Sequence, residues 1–354
     1  MKCIYCSNDA NFKDRSSGRC PSCGKEFAFE PKGGARYTDM AFKTAIDNVS
    51  SSGSVRFLPW HVHYELARKK RGNKMTSVVM LVIAACVLIG GALGAYPLIL
   101  FGIGLIIGAI VKWPKKVMPR VDAQFSQEWQ RWCKVHGTPK GLIVRRPEQE
   151  EKKPNQAPPD VSAYSFDRAV ICDREETVDV LLANNFHFEN NCAVLSVDGY
   201  PKRSFQTVKA MLKKNPRLTV YVLHDVTHDG CRLAGRLASD PAWFKGQARV
   251  VEVGMRPAHA LGFWGVWSPS FGVDASPGLT KAESSWLDKY SLELFAVRPE
   301  QVIKRLFQAI SAGEADMTTA STFVIIDSGA EYYVDKTSFA TDATTSDGGG
   351  DSFG

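Results

Sequence analysis

The chain has 354 residues, of which 44% are hydrophobic, 10% aromatic and 23% charged. That balance excludes collagen, a coiled coil and intrinsic disorder as the dominant state, and the length predicts two or three domains with room for one full-sized core. The net charge of +7 is unevenly held: residues 1–150 carry 23 basic and 11 acidic side chains, and the remainder carries 21 and 26.

Residues 1–30 hold two Cys-x-x-Cys knuckles, Cys3 with Cys6 and Cys20 with Cys23, separated by thirteen residues. Each knuckle supplies two thiolates from one tight turn, and the loop brings the pairs together, as a tetrahedral four-cysteine zinc site requires. Gly24 and Lys25 follow the second knuckle as they do in bacterial zinc ribbons, which the segment resembles. Four ligands close the coordination sphere, so the expected zinc is structural. Paired disulfides or a redox Cys-x-x-Cys compete with this reading, but no βαβ context surrounds the motif and the chain reads as cytoplasmic. Such ribbons bind nucleic acid or protein about equally readily, and many simply fold a short segment, so a protein partner is one expectation among these.

Residues 36–72 are predicted to form a small helical unit. Phe42, Ala45, Ile46 and Val49 fall at helical spacing after the cap-like Thr38-Asp39, and a second amphipathic piece carries Trp60, Tyr64 and Leu66. His61 and His63 read as surface or packing residues in preference to a metal pair.

No charge occurs from 75 to 111, a run of 37 residues. One straight helix of that length spans roughly 55 Å, against a hydrocarbon core of about 30 Å. Two passes fit better, near 76–92 and 96–112, joined by Gly90-Gly91-Ala92-Leu93-Gly94-Ala95-Tyr96-Pro97. Arg68-Lys69-Lys70-Arg71 with Lys74 precede the run, and Lys112, Lys115, Lys116 and Arg120 follow it. By the positive-inside rule this predicts a hairpin anchored in a cytoplasmic (inner) membrane, with both termini cytoplasmic and the lipid bilayer as a partner. The alternative is a buried helical hairpin in a soluble core.

A juxtamembrane helix with Phe125, Trp129 and Trp132 on one stripe is expected within 121–144, followed by a Pro-rich charged linker over 145–163. Residues 313–336 form a C-terminal extension, and the Ser/Thr/Asp/Gly-rich 337–354 is expected to be disordered.

Between the linker and the extension, 164–312 alternates short apolar strands with helices. Strands are predicted at 169–172, 192–197, 218–223 and 248–253, and helices at 175–183, 205–214, 231–237 and 301–310. The pattern is that of an α/β domain with a Rossmann-like parallel sheet covered on both faces. Its strand ends are acidic: Asp173 with Glu175 and Glu176, then Asp198, then Asp225 and Asp229. Carboxylates converging on one edge are what Mg²⁺ requires, and such a metal polarises phosphoryl oxygens. The competing reading is that these loop aspartates cap the helices that follow. His224 and His228 flank Asp225 and would suit a softer metal. Cys172, Cys192 and Cys231 read as packing thiols.

The sequence Cys172-Asp173-Arg174-Glu175-Glu176, the turn Gly199-Tyr200-Pro201, the segment Asp225-Val226-Thr227-His228-Asp229-Gly230 and the stretch from Tyr290 to Glu300 together resemble the Toprim domain of the topoisomerase VI A subunit family, over about 167–312. The resemblance implies a Mg²⁺ site built from Asp173, Asp225 and either Asp229 or Glu175, acting on a nucleic acid or nucleotide. Two departures weaken that site. Asp173 stands where the family has glutamate, and Thr227 replaces the second aspartate of its Asp-x-Asp. The family's winged-helix domain with its tyrosine nucleophile has no counterpart in the chain.

Two functions follow as expectations. The first is a membrane-anchored binding protein whose divergent Toprim-like domain recognises a nucleic acid, nucleotide or protein partner. The second is a Mg²⁺-dependent, nuclease-like phosphodiester- or nucleotide-processing enzyme.

Overall fold

The computed structural model of the chain describes residues 1–70, 81–85, 87, 103, 106, 123–144, 166, 168–215, 217–244, 248–263, 265–270, 278–312, 323–327 and 330–334. The expected linker at 145–163 and the tail at 337–354 lie outside these residues, as does nearly all of the two expected membrane passes. Among the described residues no helix is long and apolar enough to cross a membrane. The described part of the apolar run is helical at 81–85, where Leu81, Val82 and Ile83 are exposed.

The N-terminal half is built around one aromatic cluster. Helix α1 (Asp39–Val49) starts at Thr38, whose hydroxyl accepts from the Ala41 amide at 3.2 Å. Its buried face is Phe42, Ala45, Ile46 and Val49, the positions that the helical period selects. Helix α2 (Pro59–Lys70) and helix α3 (Ala123–His136) pack on it. The Phe42 ring has Phe29, Trp132 and Phe125 at 5.0, 4.9 and 6.3 Å between centroids. Truncating such a fully buried ring costs about 3–5 kcal/mol. The two stretches that flank the apolar run therefore share one core: the His63 ring of α2 lies 4.7 Å from Phe125, near the start of α3. His61 and His63 are both buried packing residues.

The second half is the expected α/β domain. Strands β1 (Arg168–Cys172), β2 (Cys192–Ser196), β3 (Thr219–Leu223) and β4 (Arg249–Glu252) form one parallel sheet in the order β2-β1-β3-β4. Because the central strands are covered on both faces, each runs continuously apolar after its first residue, Arg168 or Thr219, without polar alternation. Helix α4 (Glu175–Ala183) joins β1 to β2, α5 (Phe205–Lys214) joins β2 to β3, and α6 (His228–Ser239) joins β3 to β4. On one face Phe205, Val208 and Leu212 of α5 meet Leu233 and Leu237 of α6. On the other face Val178 and Leu181 of α4 meet Val302 and Leu306 of α8 (Pro299–Ser311), α7 being the short helix Lys281–Leu287, and Tyr64 of α2 joins that core. Cys172, Cys192 and Cys231 are buried in the same layer, and burial pushes the Cys192 thiol up to about 12, as inert packing sulfurs require. Helix α6 begins three residues before its expected start, because Thr227 caps it. Within the C-terminal extension, Phe323–Asp327 and Ala330–Val334 pair as an antiparallel hairpin.

The strand order places a topological switch point between β1 and β3. The chain leaves β1 toward β2 on one side and later returns to β3 on the other, so the loops after β1 and β3 diverge and open a crevice. Asp173 follows β1 and Asp225 closely follows β3.

Candidate functional sites, a thiolate cluster and a strand-end cleft

In the N-terminal segment the two knuckles are near copies. The Cys3 amide donates to Asn8 O and the Cys20 amide to Lys25 O, at 2.9 and 2.8 Å. Each turn then closes through a residue with left-handed backbone, Ser7 at φ 59° and Gly24 at φ 70°. The four sulfurs lie within 4.8 Å of one another, with Cys3–Cys23 at 3.7 Å and Cys6–Cys20 at 3.6 Å. Backbone amides of Cys23 and Ser22 aimed at the Cys20 sulfur draw its thiol down to about 6. Thiolates packed this closely repel unless a cation sits among them, and the set fits one metal ion such as zinc. With Cys3 and Cys20 buried and all four sulfurs engaged, a metal there stabilises the fold and leaves no open position for chemistry.

The segment is tied to the helical core through Asp39. This fully buried carboxylate accepts from the Ala28 and Phe29 amides at 3.0 and 2.8 Å and from His136 Nε2 at 2.7 Å. His136 Nδ1 meets the Tyr5 hydroxyl at 3.1 Å, so a residue inside the first knuckle is wired to α1 and α3.

The crevice at the switch point is a cleft of about 520 Å³, with Asp173, Asp198, Asp225 and Asp229 among its walls. Of the expected carboxylates, Asp173, Asp225 and Asp229 are brought together. Glu175 is not among the lining residues; it stands in the first turn of α4, where a carboxylate suits the helix dipole. Asp198 and Asp229 are exposed, and Asp225 is buried.

Asp225 is engaged at both oxygens, and Asp173 at one. Asp225 Oδ1 accepts from the Leu294 amide at 2.6 Å, and Asp225 Oδ2 lies 2.5 Å from Arg174 Nε. Arg174 also donates to Glu293 Oε1 at 3.2 Å, and its guanidinium lies 5.9 Å from the centre of the Phe295 ring. Asp173 Oδ2 accepts from the Asp225 amide at 2.7 Å. Burial, helped by the charge on Asp225, pushes the Asp173 carboxyl up to about 7. Burial also raises Asp225, against the pull of Arg174. A divalent cation bound through Asp225 would have to displace this guanidinium, whereas Asp173 Oδ1 is buried without a hydrogen-bond partner.

Thr227 serves the helix and not a metal. Its hydroxyl caps α6, accepting from the Gly230 amide at 3.0 Å. Gly230 itself is forced by proximity, since a Cβ there would stand 2.3 Å from the Asp225 carbonyl oxygen. His224 has both ring nitrogens occupied. Its Nδ1 meets the Asp225 carbonyl at 2.7 Å and its Nε2 the Glu252 carboxylate at 3.2 Å. Both partners are acceptors, an arrangement that favours the protonated ring. Burial opposes that charge, but the Glu252 carboxylate and the carbonyl leave the histidine raised.

Sequence reasoning missed Arg174 as a wall of this cleft and Glu293 as the partner to which Arg174 donates. Arg174 had one local signal, its place directly after the strand-end Asp173; Glu293 lay within the stretch from Tyr290 to Glu300 singled out above, but its pairing with Arg174 arises only on folding. Comparison with known proteins gives no match to any family model, curated protein or solved structure.

Proposed function

We propose that the protein is a membrane-anchored binding module. A zinc ribbon and a divergent Toprim-like domain sit on the cytoplasmic side of a short helical hairpin over 76–112. In this reading the cleft no longer holds a catalytic metal and instead recognises a nucleic acid, a nucleotide or a protein partner. The observation that carries it is the Arg174–Asp225 ion pair: a guanidinium stands 2.5 Å from the carboxylate that would be the central metal ligand. An internal cation neutralises a buried carboxylate as a metal would, but it has no open coordination position to offer a substrate.

The hairpin is supported by the packing of its roots. Helix α2 leads into the charge-free run and α3 follows it, and the two touch. A segment that leaves and returns at adjacent points suits two antiparallel passes.

The alternative, a Mg²⁺-dependent phosphodiester- or nucleotide-processing enzyme, is favoured by one feature. Asp173, Asp198, Asp225 and Asp229 line a single cleft. Titration of the full-length protein with Mn²⁺ and Mg²⁺, alongside Arg174→Gln, separates the two readings. The binding-module reading expects no saturable binding by wild type up to millimolar metal and a new site in Arg174→Gln. Saturable binding by wild type that Asp225→Asn abolishes would establish the enzyme reading instead.

A further inference from the structure

We propose that the outer surface of the α5–α6 layer docks a nucleic acid duplex, held through its phosphates. The two helices cover the same side of the sheet, where Phe205, Val208 and Leu212 of α5 meet Leu233 and Leu237 of α6 in one core. Their other sides therefore form a single outward surface, across the sheet from α2, α4 and α8.

That surface is basic in a domain that is not. Residues 151–354 carry 21 basic and 26 acidic side chains, yet the stretch from Gly199 to His224 holds Lys202, Arg203, Lys209, Lys213, Lys214 and Arg217 and no acidic residue. Of these, all but Lys209 are exposed, as is Arg236 of α6. The helical period arranges them: with Phe205, Val208 and Leu212 turned inward, Lys213 and Lys214 flank the opposite side of α5. On α6, Leu233 and Leu237 turn inward, and Arg232 and Arg236, four residues apart, share another side. Among the described residues Lys202, Lys213, Lys214, Arg217 and Arg236 enter no ion pair, so their charge is not consumed within the chain. Carboxylates stand only at the margins, Asp198 and Asp229 at the cleft and Asp240 near Lys209.

Unpaired cations gathered on one surface fit a polyanion, whose condensed counterions they release on binding. The aromatic residues decide for a duplex. Phe205 and Trp243 are buried, and the Lys209 ammonium covers the Trp243 ring at 3.9 Å. Proteins that hold single strands stack bases on exposed rings, and the described residues of this surface offer none. A duplex presents its phosphates outward and asks for charge alone. Arg236 is also a wall of the cleft, so the basic surface continues to the strand-end edge. The inference goes beyond the cleft reading and does not depend on what the cleft itself holds.

The test is fluorescence anisotropy of a labelled, mixed-sequence DNA duplex with the full-length protein in a non-ionic detergent, across about 50–200 mM KCl. The logarithm of affinity should fall against the logarithm of salt with a slope of about −4, as four or five phosphate contacts require. Lys213→Gln combined with Lys214→Gln should weaken binding about tenfold and make the slope shallower by about 2, and Arg236→Gln should make it shallower by about 1. Lys304→Gln, on the α8 side of the sheet, should bind like wild type. All these side chains are exposed, so unchanged melting temperatures are expected and separate lost contacts from lost folding. Absence of duplex binding at about 50 mM KCl overturns the proposal. So does a double variant with the wild-type affinity and slope, which would put the contact on basic residues elsewhere in the chain. A single strand of equal length that binds about tenfold tighter than the duplex overturns the choice of occupant. Binding to phosphatidylserine vesicles that the double variant loses while it keeps the duplex would overturn it too, in favour of a lipid surface.

Discussion

Glu65 and Arg298 form a two-pronged pair across the two halves of the molecule, Oε1 to Nη2 at 2.7 Å and Oε2 to Nε at 3.2 Å, although 233 residues separate them. Asn48 adds a third hydrogen bond to Glu65 at 2.8 Å. Burial, the largest single influence, raises this carboxyl, but the Arg298 hydrogen bonds, the charges of Arg68 and Arg298 and the Asn48 hydrogen bond together outweigh it and hold Glu65 below its ordinary value. A carboxylate lowered in the folded state contributes stability above its unfolded pKa and loses it as pH falls through the folded one. Glu65→Gln should therefore destabilise the protein at pH 7 by about 3 kcal/mol, the lower end of the cost of breaking a buried pair. The gap to wild type in denaturant melts should close as pH falls below about 4.5. A gap that persists unchanged at pH 3 would mean that the pair contributes packing and not charge.

Asp173 should behave in the opposite sense. Its folded carboxyl is pushed up to about 7 from an ordinary 3.8, so ionising it opposes folding. Stability falls as pH rises between those values. Asp173→Asn keeps an acceptor for the Asp225 amide and removes the charge. It should stabilise the protein at pH 8 by on the order of 2 kcal/mol and have little effect at pH 4. Thermal melts across that range check it, and a variant less stable than wild type at pH 8 would contradict the assignment.

Gly230→Ala should be costly for a steric reason. The added Cβ would meet the Asp225 carbonyl oxygen at 2.3 Å, a backbone atom that cannot rotate aside. Helix α6 must then lift from the strand end, at a cost of about 1–3 kcal/mol. Gly235→Ala on the same helix meets nothing within 4 Å and should be neutral or slightly stabilising, as helix propensity predicts. Equal melting temperatures for the two variants would refute the steric account.

The thiolate cluster should bind one zinc per chain. Removing one ligand by Cys20→Ser should release it, because a four-thiolate site depends on every sulfur. The loss should reach His136, which touches Tyr5 of the first knuckle at 3.1 Å. Elemental analysis gives the stoichiometry, and hydrogen exchange should report faster exchange over 1–30 and at the C-terminal turn of α3. Full zinc retention in Cys20→Ser would exclude the four-cysteine site.

The legible parts of the fold were those written in short-range pattern. The β1 residues Ala169-Val170-Ile171-Cys172 could be recognised because a strand covered on both faces has no polar alternation. Thr38 could be recognised as a helix start because capping is a relation across three residues. Thr227 shows the limit of a motif. Set against a family pattern it reads as a missing metal ligand, whereas in the structure its hydroxyl caps α6. A cap and a ligand draw on the same residue types, and only the direction of the side chain separates them.

By itself the sequence determined the four-cysteine segment, the helices around Phe42 and Phe125, and the α/β alternation with acidic strand ends. Each of these is a local relation between residues close along the chain. Only the tertiary structure decided the character of the cleft. Arg174 reaches Glu293 across 119 residues and Tyr64 reaches it across 229, and no periodicity extends that far. Whether a buried carboxylate faces a metal, a guanidinium or an amide depends on which distant segment folds over it. The cost of leaving such a charge unpaired makes that choice decisive.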